Sequence, residues 1–205
     1  MFVANQQVNR DFLFRRLHSL LGVVPITLFL FIHLTMNAFA TKGADAFNAK
    51  AQTLESMPFL PVIEWVFIFL PLLYHGIYGM YVAYTSGYNG SKYSWGRNVM
   101  FTLQRVSGVV TFIFILYHLW TAKVLPDGPS FDMVQQILSN PLQYAFMIIG
   151  TVCAVFHLAN GLWGFLIHWG VTVGPRAQRV SAYVLMLLFV VLSGVGVSAL
   201  VAFHG

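Results

Sequence analysis

Residues 112–124 read FIFILYHLWTAKV, an apolar and aromatic run broken by one imidazole, His118, and closed by Lys123. No side chain inside the run is a natural partner for that imidazole. The same arrangement recurs at 30–37 (LFIHLTMN, His33), 70–79 (LPLLYHGIYG, His75) and 153–161 (CAVFHLANG, His157). An ionisable group in an apolar helix is expensive and normally functional, so four of them need a common explanation.

Working outward, the 205-residue chain is 58% hydrophobic and only 8% charged, whereas a soluble domain carries about a quarter charged residues. This places it among integral membrane proteins. Five apolar stretches reach the ~20 residues that cross a bilayer: approximately 17–40, 61–85, 99–122, 141–169 and 180–203. Breakers separate them, TKGADAFNAK, SGYNGSKYSWGRN, VLPDGPSFD and GVTVGPRAQR. The fold class expected is all-α integral membrane: residues 1–205 as a single membrane domain of five transmembrane helices, the first four forming the bundle that carries the four histidines.

The 11 Lys and Arg residues are too sparse and scattered for a nucleic-acid surface. Cys153 is the single cysteine and lies in an apolar run, which excludes disulfides and Cys-rich metal or iron–sulfur sites. No nucleotide-binding glycine motif opens a helix after a strand. The first nineteen residues lack a cleavable-signal pattern, so the first helix is expected to remain in the mature protein.

Arg10, Arg15, Arg16, Lys92, Arg97, Arg105, Arg176 and Arg179 flank one side of the spans, and Lys42, Lys50 and Lys123 the other. That asymmetry puts the N-terminus in the cytoplasm and the C-terminus outside. Depth follows from a rise of about 1.5 Å per residue. His33 and His118 fall near the outer face, and His75 and His157 about 15 Å further in. A lone membrane histidine is commonly just an interhelical hydrogen-bonding group. Four, one per helix and matched in depth two by two, suit metal ligation. Zinc usually takes four protein ligands, but a haem needs only two trans ligands from facing helices. Bis-histidine ligation leaves no open position, so such a haem moves electrons and does not bind oxygen. Two haem b groups are expected: an outer one on His33 and His118, an inner one on His75 and His157.

Positions 11, 14 or 18 apart lie within about 40° on a helix. Counting back from His33 puts Gly22, Ser19 and Arg15 on its face, with Gly22 at the inner level, where the missing side chain lets a macrocycle approach. Counting from His118 reaches Ser107 and Gln104, and from His157 His168. Arg15, His18, Ser19, Gln104, Ser107 and His168 are candidates to hold inner propionates; Arg15 and His168 read equally as interfacial anchors. Arg105 points away from His118 and reads as a topology charge. Glu64, eleven residues before His75, either relays protons to a quinone or sits in headgroup water. Glu55 and Asn37 complete the quinone candidates.

The segments FLFRRLHSLLGVVPITLFLFIHL, FLPLLYHGIYGMYVAYT, RNVMFTLQRVSGVVTFIFILYHLW and HLANGLWGFLIHWGVTVGPRAQR resemble the first four helices of the di-haem cytochrome b anchors of succinate:menaquinone oxidoreductases. That is the single-anchor type of Gram-positive bacteria, related to quinol:fumarate reductase anchors. The resemblance covers nearly the whole chain and implies axial ligation by His33, His75, His118 and His157. It also implies a flavoprotein and an iron–sulfur subunit as partners, menaquinone as electron acceptor, and the bacterial cytoplasmic membrane as location. Such a complex runs in either direction, so a fumarate reductase anchor stays open, as does another di-haem cytochrome b. A haem-free transporter or scaffold with purely structural histidines is the alternative of a different class.

Overall fold

The computed structural model describes residues 2–87, 96–124 and 129–205, all of them helix, turn or short connection. Lys92, one of the charges used to orient the chain, lies outside them. Among the described residues five helical spans are long and apolar enough to cross a membrane: Arg10–Lys42, Leu60–Thr85, Gly96–Ala122, Pro141–His168 and Pro175–His204. Their outer surface is apolar, with Leu28, Phe67, Leu73, Ile77, Leu187 and Val190 all more than half exposed. In water that would be a large aggregation-prone patch; in a bilayer it is a lipid contact.

The first span begins before the expected Leu17 and is broken in the middle. Helix α1 (Phe2–Val23) gives way to α2 (Pro25–Asn37), with Pro25 in the first turn. Proline brings no N–H and crowds the preceding turn, and the Thr27 hydroxyl donates to the Gly22 carbonyl (3.2 Å) beside the break. A 3-10 turn, Ala38–Lys42, ends the span. In the second span a short helix α4 (Leu60–Ile63) leads into a π-helical segment, Glu64–Phe69, then α5 (Leu70–Thr85). The wider turn directly precedes Pro71, which cannot supply the next α-helical hydrogen bond.

The third span is α6 (Gly96–Leu119) with a π-helical end, Trp120–Val124. The fourth is α8 (Pro141–His168), and the fifth is α9 (Pro175–His204). Two connections that read as breakers are partly helical: α3 (Ala44–Glu55) and α7 (Phe131–Leu138). Each buries a small apolar face that a membrane-length hydropathy reading averages away. Phe47 and Ala51, one turn apart on α3, join Leu138, Met147, Leu200 and Phe203 in a buried cluster. Phe47 and Phe131 pack on Phe203 at 4.9 and 5.0 Å between ring centres, and the Phe131 N–H donates to Asn48 (2.9 Å). The two helices thereby close one end of the molecule.

The extensive contacts run from α1 to α5, from α5 to α6, from α6 to α8 and from α8 back to α1, while α9 packs along α8 and against α2. The first and third spans thus stand across a ring from each other, and so do the second and fourth. At the end opposite α3 and α7, the Arg16 guanidinium lies over Trp169 (4.6 Å), and Arg97 donates to Gln178 (2.6 Å).

Candidate functional site

Each diagonal of this ring carries one histidine pair. His33 and His118 have ring centres 5.6 Å apart and planes at 75°. For His75 and His157 the values are 6.1 Å and 78°. A metal ion about 2 Å from one nitrogen of each of two imidazoles would hold the ring centres about 6 Å apart. The separation of the two levels is legible in the packing. Gly22, eleven residues before His33, packs against the His75 ring, and Gly108, ten before His118, against His157. Ten or eleven helical residues correspond to about 15 Å.

The His75–His157 pair is held by backbone. His75 Nδ1 donates to the His18 carbonyl (2.9 Å), and His157 Nδ1 donates to the Gln104 carbonyl (3.0 Å). A carbonyl only accepts, so Nδ1 of each ring carries the proton and Nε2 keeps its lone pair. This is the tautomer and the outer support that metal-ligating histidines use. In the other pair, the Asn37 amide nitrogen donates to the His33 carbonyl (2.8 Å) and lies 3.4 Å from His33 Nε2. Phe114 stacks beside His118, ring centres 5.6 Å apart.

Small residues admit these rings. A Cβ at Gly22 would overlap the His75 ring, and one at Gly108 would lie 2.8 Å from His157 Cε1. A Cβ at Gly150 would overlap Phe114, the ring that backs His118. Among the described residues no group of three or more His, Cys, Asp or Glu side chains could hold a metal ion. Two-imidazole sites are therefore suited to a metal that brings its own equatorial ligands, and the donor set fits a haem.

A family described as succinate dehydrogenase/fumarate reductase transmembrane subunit matches residues 91–196. The chain is 48% identical over 198 residues to the succinate dehydrogenase cytochrome b558 subunit of Bacillus subtilis (strain 168), covering 95% of this chain and 98% of that one. It is also 30% identical over 107 residues to the succinate dehydrogenase 2 membrane subunit SdhC of Mycobacterium tuberculosis, covering 51% of this chain and 74% of that one. The chain belongs to the succinate dehydrogenase/fumarate reductase transmembrane subunit family. It is a multi-pass bacterial membrane protein and part of an oxidoreductase complex.

Within this membrane subunit the remaining candidates divide by what they touch. The His18 ring stacks on His75, centres 4.2 Å apart and planes 3° from parallel, and faces Gly79. Ser19 accepts from the Trp169 indole (3.3 Å). Arg15 is exposed, and His168, also exposed, donates to the Gly164 carbonyl (2.6 Å). Gln104 is engaged at both ends of its amide: Nε2 donates to the His157 carbonyl (3.0 Å), and Oε1 accepts from Asn160 (2.8 Å). Ser107 is buried, donates to the Gln104 carbonyl (3.1 Å) and lies 3.4 Å from His157 Nδ1. The structure thus uses Gln104 and Ser107 to set the neighbouring helix and its histidine. Among the quinone candidates, Asn37 is tied to His33, Glu64 begins the π segment packed against α2, and Glu55 is exposed at the end of α3.

Sequence reasoning missed Gly108, Gly150, Phe114 and Asn160. The glycines carried little signal: at 100° per residue Gly108 lies about 80° from the direction of His118, against about 20° for Gly22 from His33. Asn160 offered none, since its partners, the Met100 carbonyl and Gln104, lie on another helix. Replacing Gln104 with Leu removes two side-chain hydrogen bonds of about 1 kcal/mol each but leaves its backbone carbonyl on His157. We expect a lower thermal midpoint in detergent with unchanged cofactor content. Loss of cofactor at full stability would instead assign the amide to the cofactor.

Proposed function

We propose that this chain is the cytochrome b anchor of a succinate:menaquinone oxidoreductase, joined at its cytoplasmic face to a flavoprotein and an iron–sulfur subunit. The observation that carries the reading is the pair of imidazole couples, one on each diagonal of the first four spans, at the spacing a shared metal needs. His33 and His118 would hold one haem b, His75 and His157 the other. Bound there, two haems would supply reversible one-electron storage at two depths, between the iron–sulfur partner and menaquinone.

What the chain's own residues do follows from their contacts. The His18 and Gln104 carbonyls fix the tautomers of the deeper pair, Gly22 and Gly108 leave room beside the rings, and the apolar walls exclude water. Arg15 and His168, at the arginine-rich end, are placed for propionate charge. That end, with Arg16, Arg97 and Arg176, would face the cytoplasm. The C-terminus, with α3 and α7, would then lie outside. The family name spans both directions of the reaction, so the same subunit suits fumarate reduction. The name of the Bacillus subtilis relative, a cytochrome b558 subunit, supports the haem assignment.

The test is a reduced-minus-oxidised spectrum of the purified protein with haem quantified as its pyridine complex. Two b haems per chain are expected; none, from membranes able to supply haem, would overturn the reading. Menaquinone is assigned near Glu64, at the level of the outer pair. Glu64→Gln is expected to slow quinone-linked turnover by about a hundredfold, the low end of what a positioned proton-transfer group contributes. Succinate oxidation by an artificial dye should be spared. Equal rates of wild type and variant in the quinone assay would remove Glu64 from the quinone site.

A further inference from the structure

An open groove of about 690 Å³ lies where α8 turns into α9, lined among others by Leu166, Thr172, Arg176, Val180, Val184 and Leu185. It is amphipathic along its length. The polar end is the turn itself, held by Gly170 and Gly174 at φ 71° and 90°. There Arg176 stands in the first turn of α9, and the N-cap Gly174 contributes no side-chain cap. The first-turn N–H groups of Arg176 and Ala177 have no partner within the helix. The Thr172 hydroxyl at the same end is buried without a hydrogen-bond partner. None of the described residues lining the groove is acidic. The other end runs two turns into the span, and Val180 and Val184 are 55% and 60% exposed.

We propose that this groove binds one anionic phospholipid, its phosphate at Arg176 and the first turn of α9 and an acyl chain along Val180, Val184 and Leu185. A cation and free helix N–H groups complement a phosphate. The groove starts where the chain enters the bilayer, and its apolar length, which a free phosphate would not need, matches an acyl chain. The site is distinct from the histidine pairs and does not depend on them.

The experiment is native mass spectrometry of the intact, delipidated complex titrated with phosphatidylglycerol, phosphatidylcholine or inorganic phosphate. One basic group near a membrane surface is worth about 1 kcal/mol, about a fivefold preference. The wild type is expected to retain one phosphatidylglycerol with at least that preference over phosphatidylcholine. Arg176→Gln should abolish the preference, and Val184→Trp, which fills the apolar end, should abolish the adduct. Arg179→Gln, outside the groove, should change neither. Helical circular dichroism equal to wild type shows that each variant is folded. A preference surviving Arg176→Gln, an adduct surviving Val184→Trp, or inorganic phosphate binding as tightly as the lipid would each overturn the proposal.

Discussion

His75→Ala is expected to leave the complex with one haem in place of two and to lower succinate-driven menaquinone reduction by more than about a hundredfold. Disturbing only the outer support of a metal ligand costs ten- to a hundredfold, and here the ligand itself is lost. Succinate oxidation by an artificial dye should be unchanged, because no succinate chemistry is assigned to this chain. The geometry locates the effect: His157 keeps its Nδ1 bond to the Gln104 carbonyl, so its Nε2 lone pair is left without the opposite ligand. His118→Ala should remove the other haem and leave the His75–His157 one. The measurement is haem per flavin by the pyridine complex, alongside the two turnover assays. If the histidines only tied helices together, haem per flavin and spectrum would be unaltered in both variants. To separate ligand loss from misfolding, His75→Gly complex supplied with free imidazole should recover haem in the vacated space. The Nδ1 bonds of His75 and His157 already go to backbone carbonyls, which leaves Nε2 with no assigned use other than ligation.

The spans were legible because a bilayer imposes one length and one polarity on every crossing segment. The histidines were legible because they interrupt the apolar middle of their spans, whereas His18, Glu64, Arg105 and His168 fall nearer the span ends. Their depths came from counting, and Gly22 came from the helical angle. What could not be read is how adjacent helices are rotated against each other. Gln104 and Ser107 were placed on the face of His118, on their own helix, yet their side chains meet His157 of the neighbouring helix. A helical angle gives the direction a residue points, but the partner there depends on packing. The same limit hid Asn160 and the stacking of His18 on His75. Helices α3 and α7 were missed for another reason. Each has only two or three inward apolar residues, Phe47 and Ala51 on α3 and Phe131, Val134 and Leu138 on α7. That is too short a pattern to outweigh the breakers beside it, and tertiary contact with Phe203 stabilises both.

Adding a single methyl group at Gly22 or Gly108 should be nearly as damaging as losing a ligand, and selectively so. A Cβ at Gly22 would occupy part of the His75 ring, and a Cβ at Gly108 would come within 2.8 Å of His157 Cε1. Neither ring is free to yield, because each is pinned through Nδ1 to a carbonyl on an adjacent helix. Overpacking of this kind costs about 1–3 kcal/mol. Here the movement falls on the imidazole, so the loss should appear in the His75–His157 haem before it appears in the fold. Gly150→Ala presses instead on Phe114, which stacks beside His118, and should disturb the His33–His118 haem. Gly194→Ala has nothing within 4 Å of the new methyl group. It removes a helix-interior glycine, so it should be neutral or stabilising by up to about 1 kcal/mol. Haem content and the thermal midpoint of each variant, resolved by redox titration into the two haems, provide the check. Equal loss of both haems in all three tight positions would mean that the glycines serve general helix packing. Loss sorted by level, with Gly194→Ala unaffected, ties each glycine to the ring it faces, because only contact with one imidazole can make a methyl group act on one haem and spare the other.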